Sequence, residues 1–283
     1  CAILDNGELK CWGRNNYGQL GDGTGGDFTE DNNRLTPTPT ASLGTGRTAV
    51  AVSAGFGHTC AILDNGDLKC WGRDQYGQLG DGGAAWTSSN KTDTNAPSST
   101  AIDLGTGRTA VAVSAEDQPT CAILDNGDLK CWGYDGFGQL GDGGSNTDTN
   151  APSSTAIDLG TGRTAVAASA GHDHTCAILD TGDLKCWGSD FRGELGDGGT
   201  NTDQSSPVSI DLGTGRTAIA VAALREYTCA ILDDGSLKCW GLDNMGQLGN
   251  GNSRNDQNSP PSTPVDLGTG RTAVAIDGGH VHV

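Results

Sequence analysis

The 283-residue chain carries 46 Gly, 9 Pro and 10 Cys, is 34% hydrophobic and 5% aromatic, and sets 17 Lys and Arg against 35 Asp and Glu for a net charge of −18. That charge opposes binding to nucleic acid or an anionic membrane, and no window approaches the roughly 18 to 20 apolar residues of a membrane-crossing helix. Opening on Cys1 without an initiator Met or a leader, the sequence reads as a mature product or a fragment.

An internal repeat sets the organisation. Cys-Ala-Ile-Leu-Asp starts at Cys1, Cys60, Cys121, Cys176 and Cys229. The chain therefore reads as one domain of five repeats, 1–59, 60–120, 121–175, 176–228 and 229–283. Each has the same internal order, and the second reads CAILDNGDLKCWG (60–72), YGQLGDG (76–82), a polar stretch, PSSTAIDLGTGRT (97–109) and AVAVSA (110–115). Length differences fall in the polar stretch, where an exposed loop tolerates insertion. Residues 273–283 align with 49–59, and the Cys due next is supplied by Cys1. A strand near 272–276 is thus expected to complete the sheet begun by Cys1 and tie the ends together.

In chain order, the first element of each repeat is a hairpin, CAIL and DLKC around Asp-Asn-Gly. Setting Cys1 opposite Cys11 pairs Ala2 with Lys10, Ile3 with Leu9 and Leu4 with Glu8, leaving a three-residue loop that ends in Gly7, suited to a left-handed residue. Alternation places Cys1, Ile3, Leu9 and Cys11 on one face and Ala2, Leu4 and Lys10 on the other, so both faces are expected to pack, with the Lys snorkelling. TAIDL and AVAV read as further strands, and no long 3.6-residue period signals helix.

All ten cysteines share this frame, as Cys1/Cys11, Cys60/Cys70, Cys121/Cys131, Cys176/Cys186 and Cys229/Cys239. Opposed positions of an antiparallel pair lie within disulfide reach, which predicts five intra-hairpin disulfides. Zinc competes, but one pair per repeat cannot fill four ligand positions; reduced core thiols are the other reading. Disulfides persist in oxidising compartments, pointing to secretion or a cell or particle surface.

The unit G-x-x-H-T-C-A-I-L-D-x-G-D-L-K-C-W-G followed by G-Q-L-G-D-G resembles the repeat of the regulator of chromosome condensation family over the whole chain. The resemblance implies an all-β propeller of five four-stranded blades, closed by its terminal segments, or a five-blade segment of a seven-bladed or longer array. It also implies structural roles for His58, His174 and His282, for Trp12, Trp71, Trp132, Trp187 and Trp240, and for Gln19, Gln78, Gln139 and Gln247, with Glu194 in the fourth copy. The founding members are nuclear exchange factors and nucleosome binders. The acidity and cysteine pairs here match secreted and cell-surface members instead.

Repeated residues indicate scaffold, so the positions that break the repeat are the candidate partner-binding sites: Phe28, Trp86, Tyr134, Phe137, Phe191, Arg192, Arg225 and Tyr227. Asn90 opens the one N-glycosylation sequon. The Arg residues of the GTGRT turns read as a repeated structural bond. The pairs His172/His174 and His280/His282 alternate as metal ligands on one strand face would, yet a third ligand is lacking. Acidic loops at 21–33 and 141–150 offer calcium oxygen ligands without an EF-hand pattern. No catalytic motif is present. The expectation is a non-enzymatic extracellular structural or adhesive module that binds a protein, a glycan or copies of itself, takes no cofactor, and inserts in no membrane. A secreted enzyme inhibitor or a carbohydrate-active enzyme is the alternative.

Overall fold

The computed structural model describes residues 1–25, 32–37, 41–83, 93–144, 146–251, 255–279 and 282–283. Phe28, Trp86 and Asn90 lie outside these residues, as does His280. The described chain is all-β and forms two compact units, Cys1–Tyr134 with Asp148–Ala156, and Asp135–Thr147 with Ile157–Val283.

In the first unit, β1 (Ala2–Ile3) and β2 (Leu9–Lys10) pair as predicted, Ala2 with Lys10 and Ile3 with Leu9. The loop closes through Leu4 N–H to Glu8 O at 2.8 Å, with Gly7 at φ 78°. Two three-stranded antiparallel sheets follow: β3 (Ala49–Ala54), β4 (His58–Leu63) and β5 (Leu68–Gly72), then β6 (Ala110–Ala115), β7 (Pro119–Leu124) and β8 (Leu129–Gly133). The second unit holds β9 (Ala165–Ala170), β10 (His174–Leu179), β11 (Leu184–Gly188) and β12 (Gln204–Ile210) in the order β12-β11-β10-β9, and a sheet of β13 (Ala218–Ala223), β14 (Tyr227–Leu232) and β15 (Leu237–Gly241).

The register sets Cys60 opposite Cys70, Cys121 opposite Cys131, Cys176 opposite Cys186 and Cys229 opposite Cys239. All five predicted disulfides form, with Cα separations of 4.0 to 4.1 Å, and no cysteine is free. The middle strands β4, β7, β10 and β14 are buried at every position, so both faces of each sheet are packed.

Three expectations change. TAIDL is no strand in repeats two and three: Thr100 N–H turns back to Ser98 Oγ and Thr155 N–H to Ser153 Oγ, and these local bonds displace the ladder. Single bridges such as Gly72 with Thr94 and Gly133 with Thr149, and a lone bond from Ile102 N–H to Leu68 O at 2.9 Å, mark the fourth-strand position there, whereas the fourth repeat forms the full outer strand β12. Second, Lys10 and Lys185 are half-buried, but the other three lysines of this position do not snorkel to water. Lys69, Lys130 and Lys238 are buried and donate from Nζ to the carbonyls of Leu43, Leu104 and Leu212, each at 3.0 Å. Third, residues 272–276 form no strand; Ala273 N–H reaches Gly235 O at 2.8 Å and the segment packs on the fifth repeat.

Successive repeats within each unit are joined by one recurring device. The main-chain carbonyl of Gln19 accepts from Thr59 Oγ1 at 2.8 Å and from Trp71 Nε1 at 3.0 Å. The carbonyl of Gln78 serves Thr120 and Trp132, that of Gln139 serves Thr175 and Trp187, and that of Glu194 serves Thr228 and Trp240. These four indoles are fully buried, and Trp12 is 47% exposed. The approach is close enough that a Cβ on Gly21 would sit 2.6 Å from Trp71 Nε1, at a φ of 70° that already favours glycine.

Candidate functional site

The turn after each Trp-Gly presents the variable residues. Its frame is fixed by two side chains. The Gln Oε1 accepts the main-chain N–H two residues earlier, at Tyr17, Tyr76, Phe137 and Met245. An Asn or Asp four residues before that Gln or Glu accepts, through Oδ1, from the following Leu N–H in all five repeats, at 2.9 to 3.2 Å. Side chains between these anchors vary from repeat to repeat.

In the first unit the residues in and just before these turns build a continuous strip with Phe56. The Arg14 guanidinium lies 5.1 Å from the Phe56 ring centroid and 5.5 Å from that of Tyr17. Arg73 sits 5.4 Å from both Tyr17 and Tyr76, and the Tyr76 and Tyr134 centroids are 4.8 Å apart with ring planes at 52°. Arg14 and Phe56 are exposed and the rest half-buried. Each exposed cation–π contact contributes about 0.5 to 1 kcal/mol. Stacked in series they hold long side chains in one arrangement, which lowers the ordering cost when a partner binds.

In the second unit the corresponding turn borders a cavity of about 460 Å³ whose lining includes Phe137, Phe191, Asp173, Glu194, Asp203 and Glu226. Glu194 is 1% exposed and stands where the other repeats have Gln. Its Oε1 accepts from Ser189 Oγ at 2.7 Å and its Oε2 from Arg192 N–H at 2.6 Å, so Ser189 supplies a donor to the extra oxygen. Burial raises the Glu194 carboxyl above its ordinary range. Asp190 is pushed up to about 7 by burial, against the Leu195 N–H bond and with Asp197, Glu194 and Asp203 adding like charge. Such a lining attracts cationic groups.

Of the predicted partner-binding residues, Tyr134 ends the strip, while Phe137, Phe191 and Arg192 line the cavity, Arg192 lying 4.9 Å over the Phe191 ring. Arg225 is exposed outside both. Tyr227 is a correction: it is fully buried, and its hydroxyl lies 2.8 Å from Gly279 O and 2.7 Å from His282 O, so it anchors the C-terminal segment instead of facing a partner. Burial pushes its phenol up to about 12. Arg14, Tyr17, Phe56, Arg73 and Tyr76 were missed in the sequence because most of them occupy positions that recur as Arg or Tyr and so resemble scaffold.

The His172/His174 pair is not a shared ligand face: His174 opens β10 and is buried, while His172 precedes the strand, its Nδ1 2.6 Å from Asp173 Oδ2. Among the described residues no three His, Cys, Asp or Glu side chains converge as a metal site. The GTGRT arginines form exposed pairs, Arg47–Asp64 at 3.0 Å, Arg108–Asp125 and Arg163–Asp180 at 3.2 Å, and Arg216–Asp233 at 3.3 Å.

Comparison with known proteins follows the same lines. The family model of the RCC1-like domain matches residues 1–283. The ultraviolet-B receptor UVR8 of Arabidopsis thaliana is 32% identical over 264 residues, which is 92% of this chain and 54% of that protein. Human WBSCR16 is similar in structure with a TM-score of 0.75 at 22% identity, over 93% of this chain and 63% of that one. Yeast RCC1 (Prp20), solved bound to Kap60, gives a TM-score of 0.75 at 19% identity, over 94% of this chain and 58% of that one. The chain thus spans about half the length of UVR8, and the two structures share its fold.

Proposed function

This chain belongs to the RCC1-like domain family, and on that premise we propose that it is a non-catalytic adhesive module that binds a protein partner outside the cell through the arginine–aromatic strip. The five repeats are read as consecutive blades of a β-propeller, the architecture of the relatives it resembles in structure. The observation that carries the reading is the strip itself, Phe56, Arg14, Tyr17, Arg73, Tyr76 and Tyr134 in unbroken contact. Tyr and Arg are the residue types that dominate interface energetics. Two guanidiniums on a chain of net charge −18 select a partner surface rich in carboxylates. Five intrachain disulfides without a free thiol favour an oxidising compartment.

The test is to cross-link the oxidised chain to extracellular proteins of its source, identify the captured partner, and compare its affinity for wild type and for Arg14→Ala/Arg73→Ala. A loss of at least about tenfold with unchanged thermal stability supports the reading. Equal affinity for both, or turnover of a captured substrate, overturns it.

A further inference from the structure

The turn after Trp-Gly exists in two chemical versions. In the first repeat, Asn15 Nδ2 donates to Thr24 O and Thr24 Oγ1, each at 3.1 Å, and to Asp22 Oδ1 at 3.4 Å. Arg34 Nε donates to Asp22 Oδ2 at 3.0 Å, and Asn15 N–H donates to Asn33 Oδ1 at 2.9 Å. One carboxylate is thus matched by one guanidinium and a side-chain amide. In the fourth repeat the same places hold Asp190 for Asn15, Asp197 for Asp22, Asp203 for Asn33 and Gln204 for Arg34.

The backbone frame is unchanged. Asp190 Oδ1 accepts from Leu195 N–H at 3.0 Å as Asn15 Oδ1 does from Leu20 N–H, and Asp197 Oδ1 accepts from Gly199 N–H at 2.7 Å as Asp22 Oδ1 does from Thr24 N–H at 2.9 Å. Asp190 N–H donates to Asp203 Oδ1 at 3.0 Å. What differs is the atom in the Asn15 Nδ2 place. It is now Asp190 Oδ2, buried within a residue 1% exposed and without a hydrogen-bond partner. Gln204 does not replace the arginine, because its Nε2 turns to Thr202 O at 2.9 Å. Over these four positions the formal charge falls from zero, Asp22 cancelled by Arg34, to −3 from three Asp. A buried acceptor oxygen beside a second carboxylate calls for a positive ligand.

We propose that the fourth-repeat turn binds a divalent cation of the calcium type between Asp190 Oδ2 and the Asp197 carboxylate, with a loop carbonyl and water completing the shell. Oxygen-only donors select hard cations over zinc or copper. The Asp190/Asp197 pair corresponds to the Asn15 Nδ2–Asp22 Oδ1 contact of the first repeat, so the site counts two carboxylates. That places the affinity at the weak end, about 10⁻⁴ to 10⁻³ M, the range of extracellular modules. The fifth repeat also has an unpartnered buried oxygen, Asp243 Oδ2, but it carries Asn250 in the Asp197 place and offers no second carboxylate.

Repeats two and three carry the same Asp pairs, Asp74/Asp81 and Asp135/Asp142, so the readout must be local. Amide exchange of the 190–203 segment is followed by mass spectrometry on the intact oxidised chain, with about 5 mM calcium chloride or with chelator at matched ionic strength. Calcium is expected to slow exchange there by about tenfold in wild type. Asp190→Asn, which copies the first repeat, is expected to be protected without calcium and indifferent to it. Unchanged wild-type exchange, or an equal calcium response in Asp190→Asn, overturns the proposal. So does a calcium-blind segment that becomes protected on acidification after correction for intrinsic rates, because a proton then fills the slot.

Discussion

His58 Nε2 lies 2.8 Å from the hydroxyl of Thr120, and that hydroxyl gives its one proton to the carbonyl of Gln78. The imidazole must therefore donate from Nε2; its Nδ1 is buried with no acceptor for a second proton, and burial keeps the ring neutral. His174, Thr228 and Glu194 O repeat the chain of bonds at 2.7 Å each.

Acid sensitivity follows from this pair. Burial lowers His58 to about 4, with Asp117 opposing and Arg73 adding to the shift, and lowers His174 to about 3, aided by His172, against 6.5 in the unfolded chain. The unfolded state binds more protons, so the stabilisation is complete above pH 6.5 and drains as pH falls toward those values, by up to about 3 kcal/mol for His58 and about 5 kcal/mol for His174. Denaturant midpoints should fall between pH 6.5 and 4, and His174→Gln should flatten that slope. A wild-type midpoint constant over this interval would contradict the assignment.

Glu194 and Ser189 should behave as a coupled pair. The raised Glu194 carboxyl makes ionisation costlier in the fold than in the unfolded chain, a penalty absent below about pH 4.5 that grows as pH rises. Glu194→Gln should thus gain stability relative to wild type between pH 4 and 8. Ser189→Ala should cost about 1 to 3 kcal/mol beside Glu194 and less beside Gln. A double-mutant cycle with a coupling under about 0.5 kcal/mol would refute the pairing.

Removing one indole N–H isolates the joint between repeats. Trp132→Phe keeps most of the ring volume and deletes only the 3.1 Å bond to Gln78 O, which still accepts from Thr120. The expected loss is about 1 kcal/mol in urea unfolding, against about 3 to 5 for Trp132→Ala, which opens a cavity. Equal losses would mean the ring's volume is irrelevant.

Each ten-residue disulfide separation should contribute about 2 to 3 kcal/mol by loop-closure entropy. Cys60→Ser/Cys70→Ser is predicted to lower stability by that amount while circular dichroism keeps its strand signature, since β4 and β5 are held by their own ladder.

Hairpins, disulfides and the five-fold repeat were legible because they are local: a turn, a two-residue alternation and a fixed spacing. The failures come from interactions that spacing does not encode. TAIDL has strand composition, yet Ser98 and Ser153 offer the backbone a nearer partner. Lys69 looks like an edge cation until the Leu43 carbonyl, 26 residues earlier, arrives above it. Tyr227 breaks the repeat because it must reach a segment 52 to 55 residues on. The strip escaped for the opposite reason: Tyr17 and Tyr76 recur like scaffold, and only the fold shows that Arg73 lies between them.

The carbonyl of each Gln or Glu, which accepts from the Thr closing its own repeat and from the Trp of the next, gives the array a direction. Each repeat brings the acceptor for its successor's Trp and the Trp for its predecessor's acceptor, so a tandem copy is complementary to its parent at birth. Lengthening by duplication needs no compensating mutation at the joint, and divergence is left to the turns. A lineage can therefore accumulate new surface chemistry one copy at a time, as the contrast between the Asn15 and Asp190 turns records.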